Sequence, residues 1–504
     1  MPAATDPKAQ AKEAVVETAQ PSEALSAMER TLNPRTEEDK QEVRSALRDL
    51  VKLALDKTKT ESIPRNIGRL IKDLKAGIDR KISEQLNEIM HHADFQALEG
   101  SWRGLSYLIN NSELEANRLE VHVMNISKDE LTSTLKDYEG DAWQQSPLYD
   151  KIYSQEFGVF GGRPFGCLMG DYYFNHSVED VETLEGMSKI AAASFAPFIS
   201  SVDPSLFGFK DWRDLPKKKE LKEIFTSKKY LRWNKMRKDN LDTRFLGLTF
   251  PRILAREPWG EGGRKVKEFS FEEEAGTPDK YCWTNAAYAM VRNIGQAFKE
   301  YGWAVQIRGR ESGGLVENLP LHMYETSDGS TEIQIPSEVL IPDQRENELS
   351  KLGFMPIVYI KNSPDAVFVG GQSAHNPWEY GGAKGKVATA NHALSARLPY
   401  TFAVSRFAHY MKCMVRDKVG SLMEEQDLTA WLNDWLSDYI LENPENAGLK
   451  VKAEKPLMKA EIKIEPIEGN PGYYNSKLSL RPHYQLEGMS TDIVLDTQLT
   501  QGQG

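Results

Sequence analysis

Three stretches of the chain carry residues whose types and spacing could do chemistry, and a fourth could bind a polyanion. GGAKGKV, Gly381 to Val387, has the composition of a phosphate-binding loop. Such a loop wraps backbone N–H groups around a nucleotide, and it needs a glycine five residues before the Gly-Lys pair and a Ser or Thr after it for magnesium. Those positions hold Tyr380 and Val387. The plain alternative for the Gly381–Lys386 loop is a glycine turn ahead of a helix. GQSAH, Gly371 to His375, has the outline of a nucleophile elbow around Ser373, but its final glycine is replaced by His375. His409, Cys413 and Asp417 lie at i, i+4 and i+8, one helical face that could converge on a metal. The same face borders an apolar stripe and no second cluster supplies further ligands, so a buried histidine and an inert thiol compete with that reading. His91 and His92 point in two directions on a helix and signal nothing.

The fourth stretch, Pro216 to Lys238, is basic with Phe225, Tyr230 and Trp233 interleaved. Basic charge with aromatics is the composition of a nucleic-acid surface. Leu221, Ile224 and Phe225, then Leu231 with Trp233, read equally as the buried sides of short helices. The Lys217–Lys238 charges are then a solvated face or a site for an acidic protein. Bulk charge weighs the same way: 63 Lys and Arg against 74 Asp and Glu give a net charge of −11, the wrong sign for a polyanion binder. Cys167, Cys282 and Cys413 are odd in number and far apart, which forms no disulfide framework or zinc ribbon and fits a reducing compartment. No enzyme constellation survives, and no cofactor or metal is expected.

The elements around these residues point to assembly. At about 150 residues per domain, 504 residues suggest two to four units. The N-terminus lacks a signal sequence, and the most apolar stretch, Ile190 to Ile199, falls short of the roughly 18 residues a membrane span needs. A soluble, cytoplasmic protein is expected. Residues 1–36 are a flexible leader in which Ser22 to Arg30 forms a latent helix, with Leu25 and Met28 on one face. Residues 37–112 read as helical: one stripe runs through Val43, Leu47 and Leu55, a second through Ile67, Leu74, Ile78, Ile82 and Ile89, and a third through Phe95, Leu98, Trp102 and Leu105.

Residues 113–445 alternate between strand and helix signals, a central mixed α/β body. Strands are expected over residues 119–126, 157–162, 166–174, 244–250, 303–309, 354–360 and 365–370, and an extended segment over 332–341. A helix is expected over 188–199, and others begin at caps Thr284, Thr401 and Asp427. Residues 203–280 are irregular and charged and read as a surface insertion. The helix Asp427 to Glu442 carries Asp434, Asp438 and Glu442 on its polar side.

Residues 446–500 change character. LKVKAE, MKAEIKIEPI and KLSLRPHYQL alternate with period two. Met458, Ala460, Ile462 and Ile464 point one way, and Lys459, Glu461, Lys463 and Glu465 the other. Two or three strands alone bury too little to be stable. This antiparallel β-arm must dock on its own body or pair with another chain, and an unused strand edge is a liability until it is paired. The expected class is therefore α+β: a helical N-terminal arm, a mixed body and a C-terminal β-arm.

With these features in view, the chain resembles the large subunit of the type VI secretion contractile sheath, the TssC/VipB family. The matching stretches include LEGSWRGLSYLI (Leu98 to Ile109), Phe157 to Phe174, Phe245 to Gly260, Gly302 to His322 and Leu394 to Ser421, in order over residues 35 to 490. The resemblance implies a structural subunit that pairs with the small subunit TssB (VipA). Copies of the pair then assemble helically around an inner tube of Hcp above a baseplate, and contraction drives the tube outward. In that family strands of neighbouring chains interlace, and the position of the linking arm falls here on Lys450, Val451 and Lys452, then Met458, Ala460, Ile462 and Ile464. The resemblance also implies that the AAA+ ATPase ClpV grips the helix bearing Leu25 and Met28. Asp434, Asp438 and Glu442 are candidates for facing the tube. An enzyme using the Gly381–Lys386 loop and a nucleic-acid binder using Lys217–Lys238 remain the competing readings.

Overall fold

The computed structural model describes residues 67–115, 118–260, 263–266, 269–325, 329, 331–381, 385–418, 425–466, 474–482 and 493–499, with isolated positions nearer the N-terminus. The chain forms two compact units. The first holds the helix α1 (Ile67–Met90) together with residues 259–274. Within it the Asn87 side chain donates to the Glu272 carbonyl at 3.1 Å and accepts from the Glu274 N–H at 3.0 Å, tying helix to loop. Ile78, Ile82 and Ile89 of α1 are exposed.

The second unit is built on a six-stranded sheet ordered β1-β2-β3-β5-β6-β4: β1 (Leu168–Phe174), β2 (Phe198–Val202), β3 (Leu246–Phe250), β4 (Leu315–Val316), β5 (Met355–Tyr359) and β6 (Ala366–Phe368). The first four in that order run parallel, and β6 and β4 add antiparallel. Every residue of β2 and β3 is buried, as expected of strands covered on both faces. Successive side chains go to opposite sides. Phe198 enters the cluster holding Phe207, Trp212, Trp233, Phe250 and Phe354, and Ile199 enters the one holding Met290, Ile294, Ile357, Phe368 and Phe402.

Helix α2 (Ala93–Asn111) lies close against this body. At Gly100 a Cβ would fall 2.3 Å from the Trp283 carbonyl, and at Gly104 it would meet Tyr288. Glu99 on the same helix bridges Arg256 at 2.7 Å and Arg103 at 2.7 Å, and Arg256 is buried. Burial pushes the Glu99 carboxyl up, but the two guanidinium groups outweigh it and hold it below its ordinary value. The remaining α-helices of six or more residues among the described residues are α3 (Lys128–Asp137), α4 (Val178–Ser194), α5 (Leu231–Asp239), α6 (Ala287–Tyr301), α7 (Asp343–Lys351), α8 (Gly385–Ser395), α9 (Leu398–Lys418), α10 (Glu425–Ser437) and α11 (Leu449–Glu454).

Several local expectations give way. Residues 203–280 are irregular, with repeated 3-10 turns, but they are no surface insertion. Leu206, Phe207, Trp212, Leu215, Phe225, Tyr230 and Trp233 are buried, and β3 lies at the centre of the sheet. The charge density that suggested a surface belongs to the opposite sides of the same short turns. Residues 119–126 alternate, but among the described residues they form no strand pairing beyond a bridge from Glu115 to Leu119, and Val123 is 68% exposed. Residues 157–162 are a helix end and a turn, with Gly161 at φ +82°. Residues 303–309 form no strand because they thread between two cores: Trp303 and Val305 enter one, Ala304 and Ile307 the other. The helix expected over 188–199 stops at Ser194, where Phe195 turns left-handed, and 198–202 is β2. Thr284 does not cap α6: it ends a short strand, Ala286 stands at the cap position, and the Ala287 N–H donates to the Asn285 side chain at 2.9 Å. Thr401 lies inside α9, which opens at Leu398-Pro399, a favoured place for proline. Helix α10 opens at Glu425, upstream of the expected cap Asp427, and ends at Ser437, short of Glu442.

Candidate functional site

The period-two pattern of the C-terminus builds a three-stranded antiparallel sheet of β7 (Leu457–Pro466), β8 (Tyr474–Pro482) and β9 (Ile493–Leu499), with β8 central. The register places Ile462 opposite Leu478 and Leu478 opposite Leu495. One face is buried: Leu457, Ile462, Ile464, Leu478 and Leu480 join Phe407, Met411, Leu428, Leu432 and Leu436 of α9 and α10 in a single cluster. Trp303 stacks on Phe407 at 4.1 Å and donates from Nε1 to the Glu454 carbonyl at 3.1 Å. Lys459, Glu461, Lys463 and Glu465 face outward.

The two edges of this sheet differ. On β7 the Asn433 side chain of α10 donates to the Ile462 carbonyl and accepts from its N–H, both at 3.0 Å. Leu457 exchanges backbone hydrogen bonds with Tyr439 and Leu441 at 3.2 and 2.8 Å. The chain thus occupies parts of its own β7 edge. These contacts also fix the hydrogen-bond phase. Ile462 turns its backbone away from β8, so Leu478 turns toward β9 and pairs there with Leu495. The alternate residues Val494, Asp496 and Gln498 then present their N–H and C=O groups on the outer side of β9, where no strand pairs among the described residues.

Met458 and Ala460 are half-buried, and Ile462 and Ile464 buried, on β7 as expected. Lys450, Val451 and Lys452 are not in a strand. LKVKAE forms the helix α11, so the β segment starts at Leu457. Its alternation is only six residues long, too short to tell helix from strand. Asp434, Asp438 and Glu442 are exposed. Leu25 and Met28 lie outside the described residues. Asn433 went unnoticed in the sequence. Its position between Leu432 and Leu436, an amide at the border of an apolar stripe, is the signal that marks it.

The chemical candidates do not converge. The buried Ser373 hydroxyl donates to the Ala396 carbonyl at 2.5 Å, whereas His375 Nδ1 faces Thr243 Oγ1 at 3.0 Å. Lys386 is exposed in the first turn of α8. The aromatics of the basic stretch, Phe225, Tyr230 and Trp233, are buried and offer no stacking platform. His409 is buried with Nε2 at 2.8 Å from the Ser194 carbonyl, and Asp417 pairs with Arg416. Burial pushes the thiols of Cys167 and Cys282 up to about 12 and raises that of Cys413. Among the described residues no group of three or more His, Cys, Asp or Glu could hold a metal, and no helix is long and apolar enough to cross a membrane.

Burial holds both His375 and His409 down to about 3, with nearby cations assisting. Their folded values lie below the unfolded one near about 6.5, so the unfolded chain binds more protons between those limits. Stability is complete above pH 6.5 and falls as the pH drops toward 3, at about 1.4 kcal/mol per pH unit for each histidine. Thermal melts of the purified chain between pH 7.5 and 5 should show a steady loss of Tm. A flat profile would contradict the buried, neutral assignment.

Comparison with known proteins gives this architecture a family. Residues 72–375 match the family described as "EvpB/VC_A0108, tail sheath N-terminal domain", and residues 387–499 match "EvpB/VC_A0108, tail sheath gpW/gp25-like domain". The chain belongs to this tail sheath family, and it is a structural subunit of a type VI secretion sheath. It is 48% identical over 484 residues, 96% of each chain, to the "Type VI secretion system sheath protein TssC1" of Pseudomonas aeruginosa. The second matched region begins just after the start of α8 and contains α9, α10 and the C-terminal sheet, so those helices and strands form one structural block.

Proposed function

We propose that this chain pairs with the small sheath subunit TssB and that the pairs build a helical tubule in the cytoplasm around an inner tube of Hcp, seated on a baseplate. Contraction of the tubule drives the tube outward. Neighbouring protomers are linked through the C-terminal sheet, whose β9 edge takes up a strand from another chain. The observation that carries this reading is the asymmetry of the sheet: its chain covers parts of the β7 edge through Asn433, Tyr439 and Leu441, while the outer side of β9 has no partner strand among the described residues. A backbone ladder suits a contracting lattice, because it persists while the bulkier domains rotate, and repetition along a polymer makes modest individual links collectively strong.

Two further contacts belong to the same reading. The exposed carboxylates Asp434, Asp438 and Glu442 face the tube, and the segment bearing Leu25 and Met28 is the handle for the ATPase ClpV. Coexpression with the small subunit followed by negative-stain electron microscopy tests the core of the proposal. Helical tubules are the expected product, and small soluble complexes alone would contradict it.

A further inference from the structure

Away from the C-terminal sheet, one cluster of side chains holds more hydrogen-bond donors than acceptors. Arg244, in the 3-10 turn Leu241–Phe245, places Nη2 2.5 Å from Nε2 of His392 on α8. The other ring nitrogen, Nδ1, faces the Trp378 N–H at 2.8 Å. A neutral imidazole has one N–H and one lone pair, and a guanidinium only donates. With the lone pair engaged by Trp378, the Nε2 proton points at Arg244. In the other tautomer the conflict moves to Trp378. Arg244 Nε is also buried without a hydrogen-bond partner, and no carboxylate among the described residues pairs with this arginine. Burial lowers its proton affinity, and only the nearby Tyr380 phenol opposes that. Each of these groups lacks the same thing, an anionic acceptor.

The surroundings say what kind of acceptor fits. Tyr380 and Trp378, 45% and 38% exposed, stand with their rings 6.0 and 5.3 Å from His392. Their loop is held in place by the Tyr380 N–H donating to Thr389 Oγ1 and by Trp378 Nε1 donating to the Lys238 carbonyl, both at 2.8 Å. We propose that the Nε/Nη2 edge of Arg244 and the Nε2–H of His392 receive the carboxylate of an Asp or Glu from a neighbouring chain in the sheath, with its methylenes against Trp378 and Tyr380. The fork of a guanidinium matches the two oxygens of a carboxylate. An aromatic rim is wasted on a free ion but contacts the stem of a side chain. A lattice of chains at net charge −11, with exposed acids such as Asp137 and Glu139, supplies such carboxylates in abundance. The inference rests on the sheath assignment above.

The test uses the chain coexpressed with its small partner and reads the critical concentration for tubule formation by pelleting. Arg244→Gln should raise that concentration by about tenfold or more, the scale of losing a hydrogen-bonded charge pair at an interface. Arg244→Lys, which keeps the charge but loses the fork, should fall in between. Tyr380→Ala removes an exposed ring that the methylenes would contact while its backbone N–H still holds Thr389, and it should raise the concentration by about threefold. Wild-type tubules with unchanged Arg244→Gln and Tyr380→Ala thresholds would overturn the site while leaving the sheath reading intact. Failure of the wild type to assemble would overturn the sheath reading instead. If 10 mM sodium phosphate raises the Tm of the unassembled wild type but not of Arg244→Gln, and the assembly thresholds are equal, the cluster binds a free oxyanion and the proposal fails.

Discussion

Asp496→Pro is expected to leave the chain folded and to abolish its incorporation into tubules. The hydrogen-bond phase set by Asn433 on Ile462 turns the Asp496 N–H outward, so proline there breaks no bond to β8. Proline on an edge strand is tolerated where its missing N–H faces away from the ladder, yet it cannot donate to an added strand. Thr497→Pro is the matched control. Its N–H lies on the β8 side, opposite Ser476, so the substitution breaks the sheet itself. Circular dichroism and thermal melts of the soluble pair, beside pelleting and microscopy, separate the two effects. Asp496→Pro should melt within a few degrees of wild type and fail to pellet, while Thr497→Pro should lose Tm before assembly is tested. Unimpaired tubules from Asp496→Pro would rule out strand addition on β9.

The second large effect concerns truncation ahead of Leu457. Were the β-arm a detachable appendage, its removal would cost the body nothing. The packing says otherwise. Leu457, Ile462, Ile464, Leu478 and Leu480 are all buried against α9 and α10. At about 1.5–3 kcal/mol for each buried apolar side chain, their loss amounts to about 10 kcal/mol, comparable with the whole stability of a domain. The truncated chain should lose the near-ultraviolet signal of the Trp303–Phe407 stack, bind hydrophobic dyes and show increased proteolysis within α10. A truncated chain that melts like the full one would contradict the docked sheet.

The course of the chain was legible where one physical signal dominated. The apolar run of β3 announced a buried strand, the spacing of Leu428, Leu432 and Leu436 gave the face of α10, and the alternation from Met458 to Ile464 gave both the strand and its buried side. The start of β2, by contrast, lay hidden in the helix expected over 188–199. What sequence could not reveal depended on the partner surface. The sequence alternates at 303–309 but the backbone does not follow it: Ile307 enters the core of Ala304 rather than that of Trp303 and Val305, and no neighbouring strand among the described residues completes a ladder. The alternation at 119–126 finds side-chain neighbours, such as Arg163 for Glu120 and Phe165 for His122, but no strand to pair with among the described residues. Residues 203–280 looked like surface because charges dominate their composition, although the aromatic half of each short turn supplies much of the main core. In the C-terminal sheet, the buried face could be read from period two. Which edge is occupied could not, because that depends on Asn433 and Tyr439 arriving from another element.

A reconstruction of the tubule formed with the small subunit, at a resolution that traces backbone, tests the central claim most directly. A strand from a different chain should be bonded along β9 at Val494, Asp496 and Gln498, with β7 still held by Asn433. A tubule whose protomers touch only through other surfaces, leaving the outer side of β9 in water, would contradict it.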